Sequence, residues 1–435
     1  MSGGGSVRSG AAAMPMWAAD DARVDSSLSY VGWAAGFFFS FRTILVFISV
    51  RWLGAGTEPG VFAAFAMSAV LLIAALVQGF GRAAQPLGSL WKIAGLRWVL
   101  IYLAFSACSL LWTAAASPVN SALYWCALAA DVAIVLCVFR GSSAREAGHS
   151  LMKGFIAGSC VLAAIAWLIP RAQDLRLGDL DYFNTNQIGN LCALSVFLCL
   201  ILASRNDGKW SIAAMFLTIT LFRSLSKATL VAFVASQCYR LIKDSAMSVR
   251  KKLLLVLCAL VVTFASWSLI DAYVGIYTTA GNQAETLTGR TAIWAWSLNA
   301  ALQSPWVGNG IDAMWKIAPS FGGELFEARH AENELLQQFL SYGIAGIVML
   351  VAIYGGLWRR VRMIRDPSER SVLLALVVFV IIRGVAEAEP FDLLLPIWMI
   401  ATIVLQLDRS RESQFQFDFL ATEGLVSDAG PGSSL

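Results

Sequence analysis

Residues 333–358 read NELLQQFLSYGIAGIVMLVAIYGGLW, and this stretch decides which solvent the chain folds in. At 1.5 Å of rise per residue, a helix of that length exceeds the ~30 Å hydrocarbon core of a bilayer. An apolar run so long is a membrane-crossing helix. The whole composition agrees: the 435 residues are 58% hydrophobic and 14% charged, with a mean hydropathy of +0.68. Soluble domains are about 25% charged. Lipid is therefore the solvent for most of the chain. The net charge of +4, with no basic stripe apart from the apolar segments, argues against nucleic acid as a partner.

Working outward, similar runs predict twelve spans, at 28–50, 61–80, 97–115, 121–139, 152–170, 186–203, 209–222, 226–243, 253–276, 333–358, 371–387 and 390–407. The expected fold is an all-α polytopic membrane protein of about twelve transmembrane helices occupying 27–407. A long helical loop, 277–330, separates spans nine and ten. Residues 1–26 and 408–435 are polar and Gly/Ser-rich, so both read as disordered tails, the first with no signal-peptide core. Lys and Arg assign the orientation: the connections after even-numbered spans plus the C-terminal tail hold 20, the others 9. Both termini are then cytoplasmic, and the 277–330 loop faces outward.

The chain has eight cysteines and two histidines, His149 and His330. The cysteines lie in or beside apolar segments and form no CxxC pair, so neither a disulfide framework nor a zinc site is expected. No metal and no cofactor are expected. His149 falls in a basic cytoplasmic loop and reads as surface. Arg42 in span one and Asp131 in span four can pair across the bundle.

Polar chemistry collects on the outward face in five places. Asn184-Thr185-Asn186 opens span six, preceded by Arg171 and Arg176; helix capping is the plain alternative. Ser224-Leu225-Ser226-Lys227 opens span eight after Arg223, where hydroxyls, a cation and a helix N-terminus suit an anion, although a snorkelling Lys looks the same. Thr288-Gly289-Arg290 opens a loop helix, 288–303, whose packed face would be Trp294, Leu298 and Ala301. Pro305 and Gly308-Asn309-Gly310 end it. Arg329-His330-Ala331-Glu332-Asn333 stands at the mouth of span ten, with His330 a general base near neutral pH or a buried structural histidine. Glu387-Ala388-Glu389 follows Arg383, which an i, i+4 contact would pair with Glu387.

Three segments occur in one order: LTGRT at 287–291, Gly308-Asn309-Gly310, and HAENELLQ at 330–337 with YGIAG at 342–346. That order resembles the bacterial O-antigen ligase and polymerase superfamily. The segment 224–229 and the Thr-Gly-Arg run look most like its exopolysaccharide-polymerase branch. The resemblance covers about 180–400. It departs in two places: His330 and Asn333 are not adjacent, and Lys227 stands where many relatives have Arg.

The resemblance implies a helical, metal-independent glycosyltransferase of the bacterial inner membrane. Its donor and acceptor would be polyprenyl-pyrophosphate-linked glycans on the periplasmic side, with a chain-length regulator or flippase as partners. It implies catalytic roles for His330, Glu332 and Arg290. Pyrophosphate or glycan binding would fall to Lys227, Arg223, Arg171, Arg176, Asn186, Ser226, Asn333 and Glu389. Polymerisation by a single, inverting displacement is the expected reaction. A ligase moving finished glycan to lipid A-core or protein is the alternative. A flippase is the second alternative; it would call for repeated halves with interrupted helices, and the sequence shows no internal repeat.

The orientation is testable directly. A reporter fused after Arg365 is expected to be active in the cytoplasm; activity on the opposite face would overturn the placement of every outward cluster.

Overall fold

The computed structural model describes residues 29–81, 96–142, 144–169, 176–179, 182–203, 209–245, 247–265, 267–268, 271–272, 275, 290–314, 318–319, 328, 330–364 and 366–388. Both tails, span twelve at 390–407, Arg171, Arg329, Glu389 and, within the loop, 277–289 (with Thr288 and Gly289), 315–317 and 320–327 lie outside the described residues. Within them the helices are α1 (Tyr30–Trp52), α2 (Thr57–Gly79), α3 (Leu96–Ser109), α4 (Pro118–Gly141), α5 (Ala144–Leu168), α6 (Thr185–Ala203), α7 (Lys209–Ser224), α8 (Lys227–Lys243), α9 (Val249–Ala265), α10 (Arg290–Gln303), α11 (Glu334–Val361) and α12 (Pro367–Gly384). No strand occurs among the described residues.

Helices occupy the first eleven expected positions, with α10 as the extra helix of the loop. Among the described residues, six are long and apolar enough to cross a membrane: α1, α2, α4, the segment Glu146–Leu168 of α5, α6 and α11. The remaining candidates are shorter or carry more charge, because turns and caps consume the ends of the apolar runs. The helix α5 starts at Ala144, well ahead of the expected 152, so His149 is a half-buried helix residue and not loop surface. Asp366 caps α12 through its carboxylate, accepting from Ser368 N (3.0 Å) and Glu369 N (3.4 Å), with Pro367 at the first helical position.

Glycine permits the closest packing. In a membrane the hydrophobic effect does not drive helix against helix, so close backbone approach carries much of the association. The α1–α5 pair shows this. A Cβ on Gly36 would lie 2.1 Å from Leu151 O, and one on Gly154 would lie 2.0 Å from Trp33 O. Ser40 Oγ donates to Phe155 O across the same seam (3.0 Å). Nearby, Arg42 Nη1 meets Asp131 Oδ2 at 2.7 Å, the pairing expected from sequence, with both side chains largely buried. The helix α6 is buried along most of its length and packs on α5, α7, α8 and α12.

The helix α11 is broken. Gly343 has φ 62°, a conformation that a side chain would strain. Breaking a helix frees backbone groups that lipid cannot satisfy. The loop after α10 supplies them: Ile344 N donates to Pro305 O (2.8 Å), while Asn309 N and Gly310 N donate to Leu340 O and Ser341 O (both 2.9 Å). Gly308 and Gly310 also have positive φ, so the Gly-Asn-Gly turn does more than end the helix. The other side of the loop seats on α3 and the turn after it, through Ile311 N to Ser109 Oγ (3.1 Å) and Thr113 Oγ1 to Ile311 O (2.6 Å).

The glycine seam gives a stability test. Gly154→Ala forces α1 and α5 apart and is expected to cost at least the ~1–3 kcal/mol of core overpacking. Gly356→Ala meets nothing within 4 Å and should hold or raise stability, since helix-interior Gly is inferior to Ala. Thermal midpoints in detergent compare the two; equal midpoints would refute the close approach.

Candidate functional site

The start of α6, the α7–α8 break, the start of α10, the approach to α11 and the exit from α12 meet at one end of the bundle. Asn184 Oδ1 accepts from Asn186 N (2.8 Å) and so caps α6, leaving the Asn186 side chain to other work. Thr185 Oγ1 donates to Ser224 O, fixing α6 to the α7–α8 break. That break turns through Leu225 at φ 57°, after which Ser226 precedes the first residue of α8, Lys227. Gly189 lets the two elements approach, since a Cβ there would lie 3.0 Å from Ser226 Cβ.

From Ser226 a line of side-chain contacts crosses the site. Ser226 Oγ donates to Asn186 Oδ1 (2.9 Å) and shares a hydrogen bond with Thr229 Oγ1 (2.9 Å). Asn186 Nδ2 donates to Glu387 Oε1 (2.7 Å), and the same oxygen takes Arg290 Nη2 at 2.6 Å. Arg290 Nη2 also lies 3.2 Å from Glu332 Oε2, while Glu332 Oε1 is 3.6 Å from His330 Nδ1. Among the described residues, Arg290 spends only Nη2 on these partners, so much of its fork of N–H donors is left for an anion.

The approach to α11 is held in an uncommon backbone state. Glu332 has φ 52°, which for a non-glycine residue costs roughly 1–3 kcal/mol and persists only where neighbours enforce it. Those neighbours are present. Trp294 Nε1 donates to Glu332 O (3.2 Å), and Gln337 Oε1 accepts from Ala331 N (2.8 Å). Asn333 Oδ1 caps α11 at Leu336 N (3.0 Å), and its Nδ2 donates to Val385 O (2.8 Å).

Burial sets the charge states. It lowers the His330 pKa below the usual histidine range, with Arg383 and Arg290 adding to the effect and Glu387 and Glu334 opposing it. The imidazole is therefore a free base at neutral pH, with 27% of its side-chain surface open. Burial pushes Glu332 up to about 8, helped by the nearby Glu387 carboxylate. The raised pKa favours the protonated form of Glu332, beside Arg290 at 3.2 Å.

Of the residues singled out by sequence, the structure joins His330, Glu332, Arg290, Asn186 and Ser226 in one line, with Asn333 bracing it through Val385. Lys227 lies next to Ser226 in the chain. The line is complete without Arg176, which precedes the Asp179–Phe183 bridge, and Arg223, in the last turn of α7. Arg171 and Glu389 lie outside the described residues. Two sequence readings need correction. Burial lowers the pKa of His330, read as poised near neutral pH, because it disfavours the cation. Glu387, past the end of α12 at Gly384, gives its carboxylate to Arg290 and Asn186, contacts that sequence did not point to. The buried face of α10 is Ile293, Ser297 and Ala301; Leu298 is exposed, because Ser297 packs close and carries no hydrophobic signal. Sequence also missed Gln337, a polar residue on an apolar helix whose only visible mark was its proximity to His330.

Comparison with known proteins bears on this geometry. Residues 212–351 match the O-antigen ligase family pattern. The chain is also 24% identical, over 320 residues, to the exopolysaccharide production protein ExoQ of Rhizobium meliloti (strain 1021), covering 67% of this chain and 72% of that one. Lys227, Arg290, His330 and Glu332 all fall inside the family match. The segment that carries Lys227, Arg290, His330 and Glu332 is thus similar to the O-antigen ligase/polymerase superfamily of membrane proteins.

Proposed function

We propose that the protein is a glycosyltransferase that polymerises lipid-pyrophosphate-linked repeat units of an exopolysaccharide on the outer face of the inner membrane. The observation that supports this reading best is the convergence of a neutral imidazole and a fork of guanidinium donors. Both are presented by segments flanking the loop between α10 and α11. An acceptor hydroxyl oxygen attacks the anomeric carbon of the donor, the carbon–oxygen bond to pyrophosphate breaks, and the electron pair leaves with the pyrophosphate. His330 takes the hydroxyl proton. Arg290 and Lys227 stabilise the departing charge, Arg290 through its unspent N–H groups. One displacement inverts the anomeric configuration, and the roles assigned here need no metal.

A second reading, transfer of finished glycan to another acceptor, is favoured by the ligase description of the matching family. Deletion separates the two: single repeat units accumulate when a polymerase is lost, and finished polymer stays on its lipid when a ligase is lost. The broken α11 is a feature that transport would use. Its freed backbone groups are instead taken up by the loop after α10, which favours chemistry over transport.

The pH profile tests the assignment on purified protein with a lipid-pyrophosphate glycan. The acid limb belongs to His330 and should lie below the usual histidine pKa; His330→Ala should cost ~10²–10⁴-fold in rate and lose that limb. An alkaline limb should appear near pH 8, where Glu332 ionises and sets a second negative charge against Arg290; Glu332→Gln should abolish it. Arg290→Ala and Lys227→Ala should abolish transfer, Arg290→Lys should lose most of it, and Lys227→Arg should keep it, since Lys acts as a point charge and Arg as a fork. A His330→Ala protein that keeps both rate and acid limb would refute the base.

A further inference from the structure

Gln337 is the fourth residue of α11 and is 2% exposed. A buried amide is unfavourable unless its polar atoms find partners. Methionine, of like length and helix propensity, would fill the same place without that cost. Both ends of this amide are used. Oε1 accepts from Ala331 N (2.8 Å), and Nε2 donates to Ser341 Oγ (3.0 Å). The second bond decides which way the amide faces, oxygen to the turn and nitrogen along the helix. Ser341 belongs to the break in α11, since its carbonyl takes Gly310 N (2.9 Å).

The bond to Ala331 N acts on the peptide unit that joins His330 to Ala331. The peptide after Glu332 is held separately, by Trp294 Nε1 on Glu332 O (3.2 Å). Between these two held planes lie Ala331, wholly buried, and Glu332 with its φ of 52°. The braces from Trp294 and Asn333 act after Glu332, and the brace from Gln337 acts before it. Backbone in such a state relaxes when a neighbour lets go.

We infer that Gln337 is a positioning residue: by holding the His330–Ala331 peptide, it keeps the imidazole and the Glu332 carboxyl together beside Arg290. This rests on the transfer chemistry proposed above, in which His330 is the base. Gln337 touches no substrate and acts only through the turn. Because its other end is tied to Ser341, the geometry of the base depends on the same break that seats the loop after α10.

The test compares full-length wild-type, Gln337→Met and Gln337→Glu proteins in proteoliposomes with a lipid-pyrophosphate glycan. Gln337→Met keeps the volume and removes the acceptor. Its kcat should fall ~10²-fold, the effect of about 1 Å of misplacement, with KM unchanged because Arg290 and Lys227 stay in place. A buried Glu holds its proton, so Gln337→Glu can still accept from Ala331 N and donate to Ser341 Oγ, and it should restore most of the rate. The alkaline limb near pH 8 is a readout that plain destabilisation does not move. The charged groups around the turn are Arg290 on α10, Glu334 on α11, and Arg383 and Glu387 at the end of α12, all intact in these variants. Burial raises Glu332, so a relaxed turn should move that limb to lower pH in Gln337→Met and not in Gln337→Glu. Carbethoxylation by diethyl pyrocarbonate, read by mass spectrometry with His149 as reference, follows the turn without any transfer. It should be faster at His330 in Gln337→Met alone. A Gln337→Met protein with wild-type kcat, or a slow one whose limb and His330 labelling are both unmoved, would overturn the inference. Faster labelling in a protein whose rate does not depend on His330 would sink the base and leave the hold on the turn standing. Should Gln337→Met fold poorly, Gln337→Asn, one methylene short of Ala331 N, carries the same three readouts.

Discussion

The break in α11 at Gly343 is the constraint on which the site depends. A membrane helix cannot leave amide and carbonyl groups open to lipid, so once the helix breaks, some other backbone must occupy the gap. Pro305 to Gly310 does so, and its position is set by several backbone hydrogen bonds and not by side-chain fit alone. That loop is the exit of α10. Fixing it at Leu340–Ala345 lays α10 beside the first turns of α11 in the same direction, with Trp294 at Glu332 and Ala300 near Leu340. Arg290, at the far end of α10, thereby reaches the level of His330 and Glu332, just before α11 begins. This side of the site is thus built from the N-terminal ends of two side-by-side helices, pinned together where α11 breaks.

The opposite wall comes from helices that are distant in sequence. Asn186 begins α6, Ser226 precedes α8, and Glu387 follows α12. A carboxylate that is 6% exposed is costly unless its lone pairs are filled, and Glu387 fills them with a guanidinium and an amide from two different helices. Its position is therefore tied to both. The same burial keeps the local charge modest, because it lowers the pKa of His330 and raises that of Glu332. The matched family segment, 212–351, contains Arg290, His330 and Glu332 but neither Asn186 nor Glu387. Of the two carboxylates on the central arginine, Glu332 lies inside that segment and Glu387, the nearer at 2.6 Å, outside it.

The seams elsewhere obey the same rule by different means. In α1 and α5, glycine lets backbones touch, and small hydroxyls such as Ser40 satisfy carbonyls between helices. The pair Arg42–Asp131 compensates two charges inside that bundle. At Gly355 the glycine has no neighbour to admit, and open space results. One residue type therefore closes one interface and leaves space at another, according to what faces it.

The solvent, the helical class and the places where chemistry gathers are legible in the order of residues alone. Apolar run length against bilayer thickness is a local property, and the order of the Thr-Gly-Arg, Gly-Asn-Gly and His-Ala-Glu-Asn segments is visible without folding. Residue order also exposed His330, Glu332, Arg290, Asn186 and Ser226, because polar residues at the ends of apolar runs stand out. Only the tertiary structure decided which of these meet. Glu387 meets Arg290 and Asn186 across 97 and 201 positions of chain, a pairing that no local spacing reveals. The packed face of α10 was misread because Ser297, a small polar residue, is buried where close approach matters more than hydrophobicity. The charge states of His330 and Glu332 were beyond sequence altogether, since burial and the proximity of Glu387 exist only once five separate segments have come together.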